Sequence, residues 1–441
     1  MKYDLWDSAK RAGPERVGSY WSCLAVPRPA PEVRLSMHVT RRRFMLGTAG
    51  AFISAAQARA AWPVQAMMSP DKDGPGWAPN AALLRQLPRL LELASVPGLG
   101  LGVVEGPRVW TRGFGRAVED PAQPASDDTV FEAASLGKPI FAYAVLRLVD
   151  AKVLDLDKSL YHYLPIPEAS SARMSRVTVR QVLSHTTGLP NWRQLAAPLE
   201  PAEEPGKKFS YSGEAYFYLQ RVVEAVTGKP FSRVMQEQVF KPFEMKQSSY
   251  VWLPEFESRM AAGYDGQENR LDVQAAIGRR TLAIAQQWGI PLADWRYQES
   301  AKAIPLVNPQ WPVLPLYMVP NAATSLLTTV SDYTRFLSRV VARDGRPGLA
   351  LSPQTRRAMA TPEIRLNSAL SWGLGWGIQR DEHGEVLWHW GANNSFRNFV
   401  IADSANGQAI VVFTNSENGP RLYERVILAI TGHDHPAFLW I

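Results

Sequence analysis

A chain of 441 residues with 46% hydrophobic and 20% charged residues has the composition of a globular protein, which excludes an intrinsically disordered one. The net charge of +7 arises at the N-terminus, because residues 1–60 hold ten of the 48 basic but only four of the 41 acidic residues. The remainder is nearly neutral, so nucleic acid is not an expected partner. A single cysteine, Cys23, excludes a disulfide framework and a cysteine-based metal site.

The basic N-terminal part has the three regions of an export signal in the usual order. Three arginines at 41–43 precede an apolar, Gly- and Ala-rich run at 46–56, and Ala58-Arg59-Ala60 offers a small-residue cleavage site. The run is too short for a permanent membrane span. We therefore predict a twin-arginine signal peptide at 37–60, preceded by a doubtful extension at 1–36, and a periplasmic or secreted location.

The predicted elements of the body begin after a Pro- and Gly-rich linker at 61–79. A helix follows, and then two short apolar runs separated by Gly106-Pro107, which is typical of a strand hairpin. The next helix is apolar almost all round, which predicts that it is buried. The predicted bounds of these and the following elements are 80–94 for the first helix, 99–104 and 109–114 for the strands, and 140–149, 178–183 and 214–235 for the later helical segments.

The second half of the chain changes from helices to strands. A tryptophan- and proline-containing segment at about 271–318 is interpreted as an insertion, and a helix is predicted at 328–340. Four strands at 373–379, 386–390, 396–403 and 408–414, and a final helix at 420–431, follow from apolar runs separated by turn residues.

Strands at both ends of the chain with helices between them predict an α/β (α+β) fold. Its antiparallel sheet would be formed from the N- and C-terminal parts, covered by helices, with a mostly helical domain inserted. The expected body is 80–441, with a sheet subdomain at about 80–140 and 320–441 and a helical subdomain at about 141–319.

The first candidate for chemistry is Ser135-Leu136-Gly137-Lys138, which places a hydroxyl and an amine on one face of a helix. A serine hydroxyl is a weak nucleophile until a neighbour accepts its proton, and a lysine accepts it only when its pKa is lowered from about 10.4. Burial beside the apolar helix would lower that pKa. Alone, the pattern also fits an N-capping serine with a surface lysine, so other motifs must decide.

Two later motifs, Tyr211-Ser212-Gly213 and His389-Trp390-Gly391, favour the chemical interpretation. With the serine–lysine motif they follow the order S-x-x-K, Y-x-N and K/H-x-G of the class C beta-lactamase-like family, which includes beta-lactamases, penicillin-binding proteins and family VIII esterases. The chain resembles this family from about Leu99 to its C-terminus, apart from the segment at 271–318. The segments 131–135, 183–190, 328–332 and 373–377 add to the resemblance.

The resemblance implies a serine hydrolase with three catalytic side chains. Ser135 would be the nucleophile that forms an acyl-enzyme, and Lys138 and Tyr211 would move the proton between Ser135 and the leaving group. General acid–base assistance of this kind typically contributes about 10² to 10⁴ in rate. Neither a metal nor another cofactor is expected.

The resemblance also implies the residues that hold the substrate. The backbone N–H groups of Ser135 and Ala392 would form the oxyanion hole, and His389 and Gly391 would line the substrate-binding edge. His389 stands where many relatives have lysine, and histidine is common among the esterases and peptidases of the family.

One position departs from the family pattern, because Gly213 stands where relatives have the motif asparagine. That amide holds the amide side chain of the substrate in the family, so its loss argues against an efficient beta-lactamase, and Gly213→Asn is expected to improve activity on beta-lactams relative to esters. His185 is expected to be structural.

The leading functional hypothesis is therefore hydrolysis of carboxylic esters. The alternatives are a beta-lactamase, a D-Ala-D-Ala carboxypeptidase or D-aminopeptidase, and an inactive relative that binds peptidoglycan. Each predicts a small-molecule ester, an amide or a peptidoglycan-like compound as the bound partner.

Overall fold

The computed structural model describes residues 77–169, 171–193, 198–271, 273–309, 320–342, 350–393 and 395–441. All of these except Ile441 belong to one unit, Met68–Trp440. The predicted extension and signal peptide at 1–60, and most of the linker at 61–79, lie outside the described residues.

A nine-stranded antiparallel sheet in the described part of the chain joins its two ends, with the strand order β3-β2-β1-β13-β12-β11-β10-β9-β8. The strands of this sheet are β1 (Gly98–Glu105), β2 (Arg108–Val118), β3 (Gln123–Pro124), β8 (Ile364–Arg365), β9 (Leu370–Trp372), β10 (Gly377–Asp381), β11 (Gly384–Asn393), β12 (Phe396–Asp403) and β13 (Gln408–Thr414). The N-terminal hairpin pairs with the last strand, with Leu99 opposite Thr414 and Glu105 opposite Gln408. The predicted sheet built from both ends of the chain is therefore confirmed.

Helices cover this sheet. Helix α1 (Ala81–Ala94) and helix α11 (Pro420–Thr431) contact each other and the sheet, and helix α9 (Val330–Val340) packs against β1, β2 and β13. Successive side chains of a strand point to opposite faces, so the burial of six of the seven residues of β13 shows that both of its faces are covered.

The remaining elements lie between the two parts of the sheet in sequence. A short pair, β4 (Val130–Ala134) with β7 (Leu326–Thr329), flanks the helical region, and a second pair joins β5 (Gly263–Tyr264) to β6 (Arg270–Leu271). The helices are α2 (Gly137–Asp150), α3 (Leu160–Tyr163), α4 (Val179–Leu183), α5 (Gly213–Thr227), α6 (Phe231–Met235), α7 (Val273–Trp288), α8 (Tyr297–Val307) and α10 (Pro353–Met359).

Side chains of the segment interpreted as an insertion belong to the main hydrophobic core. Trp295 is completely buried, its ring stacks on that of Trp288 at a centroid distance of 5.2 Å, and Ile284 and Ile304 join the same core. Removing this segment would therefore expose apolar surface of the helical region.

One predicted strand is wrong. Residues 373–379 do not form a single strand, because β9 ends at Trp372 and β10 begins at Gly377. The chain turns between them with Gly375 at a φ of +86°, and an added Cβ there would lie 2.3 Å from the Cβ of Ala142 on α2. Gly375 therefore allows a tight turn against a helix.

No helix in the described part of the chain has both the length and the apolar character needed to cross a membrane.

Candidate active site

The candidate nucleophile follows a strained strand end. Ala134, the last residue of β4, has a φ of +52°, and the pairing of β4 with β7 is irregular between Glu132 and Ala134. An alanine in the left-handed region costs on the order of 1 kcal/mol or more and persists only where its surroundings impose it. Here the pairing of Ala134 with Leu326 holds it. Ser135, which is 9% exposed, follows this turn and lies two residues before the start of α2.

Lys138 lies one turn further on and directly beside the hydroxyl. Its Nζ is 3.0 Å from Oγ of Ser135 and donates a hydrogen bond of 2.9 Å to the carbonyl oxygen of Ala323. The side chain is only 1% exposed, and burial lowers its pKa well below the usual value for lysine. A lysine that loses its charge on burial has a free lone pair, so the amine can accept the serine proton.

Tyr211 is the third member of the cluster. Nζ of Lys138 lies 4.7 Å from the centroid of its ring, and the phenol oxygen is buried without a hydrogen-bond partner among the described residues. Burial raises the pKa of Tyr211 above its usual value, and the nearby Ser135 hydroxyl offsets part of that rise. The resting side chain is therefore the neutral phenol, which is a proton donor.

The start of α5 holds the backbone next to Tyr211 in place. Ser212 is the N-cap of α5, and its Oγ accepts a hydrogen bond of 3.0 Å from the N–H of Ala215. The same Oγ donates to the carbonyl oxygen of Pro190 at 2.7 Å. A capping residue fixes where a helix begins, so it also fixes the residue directly before it.

His185 contacts this cluster, and its role was not evident from the sequence. Its Nδ1 accepts a hydrogen bond of 3.1 Å from the N–H of Ser212, and its ring centroid is 4.2 Å from that of Tyr211. Burial lowers its pKa well below the usual value for histidine, and the proximity of Lys138 and His389 lowers it further. His185 itself has a φ of +54°, a backbone conformation that is uncommon for a residue other than glycine. The sequence alone does not reveal this conformation.

The third motif lies in β11, beside the nucleophile strand. An added Cβ at Gly391 would lie 2.2 Å from the carbonyl oxygen of Ala133, so glycine is required for the approach of the two strands. Ala392, the next residue, pairs with Arg397 of β12. The structure thus brings the predicted oxyanion strand against β4, while the assignment of the Ala392 N–H to the oxyanion hole stays a prediction.

His389 is completely buried two residues before Gly391. Its Nδ1 donates to the carbonyl oxygen of Trp390 at 2.7 Å, which leaves Nε2 as an acceptor with no partner among the described residues. Burial lowers the pKa of His389 to about 3, and the proximity of Lys138 contributes to this shift. The imidazole is therefore neutral near pH 7 and brings no positive charge to the site.

A buried carboxyl group joins the nucleophile strand to the oxyanion strand. Glu132 accepts a hydrogen bond from the side-chain amide of Asn393, and its backbone oxygen accepts one of 2.9 Å from Asn398. Burial raises the pKa of Glu132 to about 7, although Asn393 and the charge of Arg397 counteract the rise. No motif marks Glu132 as a residue of the site, and a glutamate in a strand is usually exposed.

In the described residues there is no group of three or more His, Cys, Asp or Glu side chains that could hold a metal ion. The cluster consists instead of a hydroxyl, an amine and a phenol, which together can move protons and form a covalent acyl intermediate.

Comparison with known proteins shows the family of this chain. A family model described as Beta-lactamase matches residues 83–432. The chain belongs to the beta-lactamase family. The matched range contains Ser135, Lys138, Tyr211 and His389, so the four side chains lie within the domain common to this family of hydrolases.

Individual relatives are distant. Protein flp of Staphylococcus aureus strain MW2 is 22% identical over 366 residues, which cover 78% of this chain and 65% of the relative. Esterase EstB of Burkholderia gladioli is 32% identical over 194 residues, covering 37% of this chain and 49% of the relative. The chain therefore spans about two thirds and about half of these two proteins. Among solved structures, a class C beta-lactamase has a TM-score of 0.61 at 18% identity, covering 78% of this chain and 93% of that one.

Proposed function

We propose that this beta-lactamase-family protein is a serine hydrolase that forms an acyl-enzyme on Ser135 and hydrolyses carboxylic esters. The observation that carries the proposal is the distance of 3.0 Å between Oγ of Ser135 and Nζ of the buried Lys138. A buried amine with a lowered pKa is a base at neutral pH, and no other group is needed to activate the hydroxyl.

Acylation begins when the neutral amine of Lys138 takes the proton of Ser135 as Oγ attacks the carbonyl carbon of the ester. The resulting oxyanion is stabilised by the N–H groups of Ser135 and Ala392. Its collapse breaks the bond to the alcohol oxygen, and the phenol of Tyr211 gives that oxygen its proton. The ammonium of Lys138 then returns a proton to the phenolate.

Deacylation uses the same groups in reverse. A water molecule loses a proton to the amine of Lys138 and attacks the acyl carbon. When the new tetrahedral oxyanion collapses, the carboxylic acid leaves and Ser135 regains its proton from Lys138, directly or through Tyr211. The free enzyme is restored with no net change in protonation, so neither a metal nor a cofactor enters these steps.

Two observations favour esters over beta-lactams and D-peptides. The phenol pKa is raised, so Tyr211 is a weak acid, and an alkoxide leaving group requires less assistance from it than an amine does. The motif asparagine that would hold an amide side chain is replaced by Gly213. The similarity to esterase EstB supports the same choice.

The test is covalent labelling of the full chain with a fluorophosphonate and, separately, with a fluorescent penicillin, followed by mass mapping. We expect the fluorophosphonate on Ser135 and none in Ser135→Ala. Ser338→Ala, on α9, is the matched control and should label like the wild type. Ser135→Ala should also lose the turnover of nitrophenyl butyrate. Nitrocefin hydrolysis faster than ester hydrolysis would replace the esterase assignment with that of a beta-lactamase. Labelling of Ser135 without turnover of either substrate would support the alternative of an inactive protein that binds peptidoglycan.

We also propose that the protein is exported through a twin-arginine signal, which the sequence at 37–60 supports. A receptor that reads two guanidinium groups does not accept ammonium groups in their place, although the charge is the same. Arg41→Lys with Arg42→Lys should therefore stop export. N-terminal sequencing of protein from the periplasmic fraction should find a chain that begins at Ala61, and an unprocessed cytoplasmic protein would contradict the proposal.

A further inference from the structure

The segment before Arg193 is bonded to the start of α5, directly beyond the candidate catalytic tyrosine. The side-chain oxygen of Asn191 accepts a hydrogen bond of 2.8 Å from the N–H of Gly213, and its backbone oxygen accepts one of 2.9 Å from Glu214. Arg193 forms an ion pair of 3.1 Å with the carboxylate of Glu214, and both side chains are largely buried. The residues on either side of Trp192 are thus tied to the first turn of α5.

Trp192 occupies the space above Gly213. A Cβ added to Gly213 would lie 2.4 Å from Cζ2, 2.8 Å from Cη2 and 2.9 Å from Cε2 of the indole. Atoms of real structures do not approach so closely, so any side chain at Gly213 requires the indole to move. The indole also packs against the main hydrophobic core, and the bonds of Asn191 and Arg193 limit how far its backbone can shift.

We infer that Trp192 and Gly213 form a matched pair that determines which acyl group the enzyme accepts. The inference rests on the proposed function. In the family pattern this position carries an asparagine, whose amide offers both a donor and an acceptor to the substrate. Here the six-membered ring of the Trp192 indole takes that place, beside a residue two positions after Tyr211. The wall beside the acyl group is therefore apolar and aromatic.

The substrate class follows from this exchange. An acyl group with an amide next to its carbonyl would lose the hydrogen-bond partners that the asparagine provides, and its polar atoms would be desolvated against carbon. An alkyl chain or an aromatic ring loses nothing there and gains contact area with the indole. The structure thus assigns esters of apolar carboxylic acids as substrates, with medium-length alkanoyl or arylalkanoyl groups preferred over acetyl.

The same geometry corrects the expectation for Gly213→Asn. The substitution alone does not add an amide to the site, because its Cβ collides with the indole before the amide reaches the substrate. It should displace Trp192 and lower both stability and activity. Restoring the family arrangement requires removal of the indole in the same protein.

The experiment compares wild type, Trp192→Ala, Trp192→Phe, Gly213→Asn and the double variant Trp192→Ala with Gly213→Asn. Each is titrated with fluorophosphonate to count active sites, and thermal unfolding is recorded. kcat/KM is then measured for nitrophenyl acetate, butyrate and octanoate and for nitrocefin. Trp110→Ala, on β2, is the control for loss of a tryptophan and should keep the wild-type profile.

We expect Trp192→Ala to lower kcat/KM for octanoate relative to acetate by about tenfold, since one apolar contact region is worth roughly that much discrimination. Trp192→Phe should have the same direction and a smaller effect, and it keeps the test valid if the alanine variant does not fold. Gly213→Asn should have a lower unfolding temperature. The double variant should unfold at no lower a temperature than Trp192→Ala alone, because the collision is absent, and it should raise the nitrocefin-to-butyrate ratio about tenfold over wild type.

An unchanged chain-length profile in both the folded Trp192→Ala and Trp192→Phe variants would overturn the inference, as would wild-type stability of Gly213→Asn. These outcomes differ from failure of the proposed function. In that case the wild type itself would hydrolyse none of the esters or would not be labelled at Ser135.

Discussion

The imidazole of His185 lies over the phenol of Tyr211, with the two ring centroids 4.2 Å apart and the ring planes inclined by 31°. The same imidazole accepts the N–H of Ser212, the residue after Tyr211. One side chain therefore holds both the ring of the tyrosine and the backbone that follows it. A neutral imidazole suits this position, because an imidazolium could not accept that hydrogen bond.

We predict that His185→Asn lowers kcat by tenfold or more while KM for nitrophenyl butyrate changes little, a loss on the scale that misplacement of a proton carrier produces. Asparagine keeps an acceptor for Ser212 and tolerates the φ of +54°, so the variant should fold. Rates are expressed per active site titrated with fluorophosphonate. A normal kcat per titrated site, with only a lower unfolding temperature, would reduce His185 to a structural residue.

The charge state of Lys138 gives a prediction for pH dependence. Since burial lowers its pKa, the amine is a base above that lowered value and loses activity only when the pH falls through it. Activity should therefore persist well below pH 10, with a single acid limb in kcat/KM. Arginine cannot be deprotonated, so Lys138→Arg should lose about 10² or more in kcat/KM at every pH tested.

Lys158 provides a matched control for that variant, because its Nζ also lies over a tyrosine ring, 4.9 Å from the centroid of Tyr163. Lys158→Arg should leave the pH profile unchanged. Recovery of Lys138→Arg at high pH would show that another group activates Ser135.

Tyr211→Phe should separate activity from stability. The variant keeps the ring under His185 and removes only the buried hydroxyl, so the free energy of unfolding should change little. Loss of the proton donor should lower kcat about 10² or more. Thermal unfolding and kcat are measured on the same preparation. Tyr423→Phe, at a buried tyrosine of α11, is the control, and equal kcat in the two variants would assign Tyr211 to packing.

Much of the fold was predictable because local patterns and long-range packing agree. β12, β13 and α11 have the predicted bounds, since the apolar runs of the two strands end at turn residues and Pro420 begins the last helix. The turn at 373–376 was not, because its glycines fit a strand pattern equally well. The close approach of Gly375 to Ala142 of α2 is a tertiary constraint that no local window contains.

The candidate site also contains residues that the sequence could predict and residues that it could not. Side chains with a motif, such as Ser135 and Lys138, could be selected from the sequence. The Ala323 carbonyl that accepts from Lys138 could not, because a backbone oxygen has no sequence signature. Trp192 could not be paired with Gly213 either, since the contact joins two segments whose spatial relation depends on the folded loop.

The last prediction concerns the buried carboxyl of Glu132. Its pKa is raised from 4.5 to about 7, so between these values the folded protein keeps a proton that the unfolded chain has released. Stability must then fall as the pH rises through this window, by up to about 3 kcal/mol for such a difference in pKa. Glutamine keeps the shape and an oxygen to accept from Asn393, and it does not ionise. Glu132→Gln should therefore equal the wild type in stability near pH 4.

Above pH 7 the variant should be the more stable protein, by up to about 3 kcal/mol, with the difference appearing between pH 4.5 and about 7. Urea unfolding at several pH values measures this difference. Glu382→Gln is the control, because that side chain is 87% exposed and its replacement should give no such trend. A variant that is less stable than wild type at pH 8 would show that Glu132 is ionised and that its attraction to Arg397 outweighs the cost of burial, which reverses the sign of the prediction.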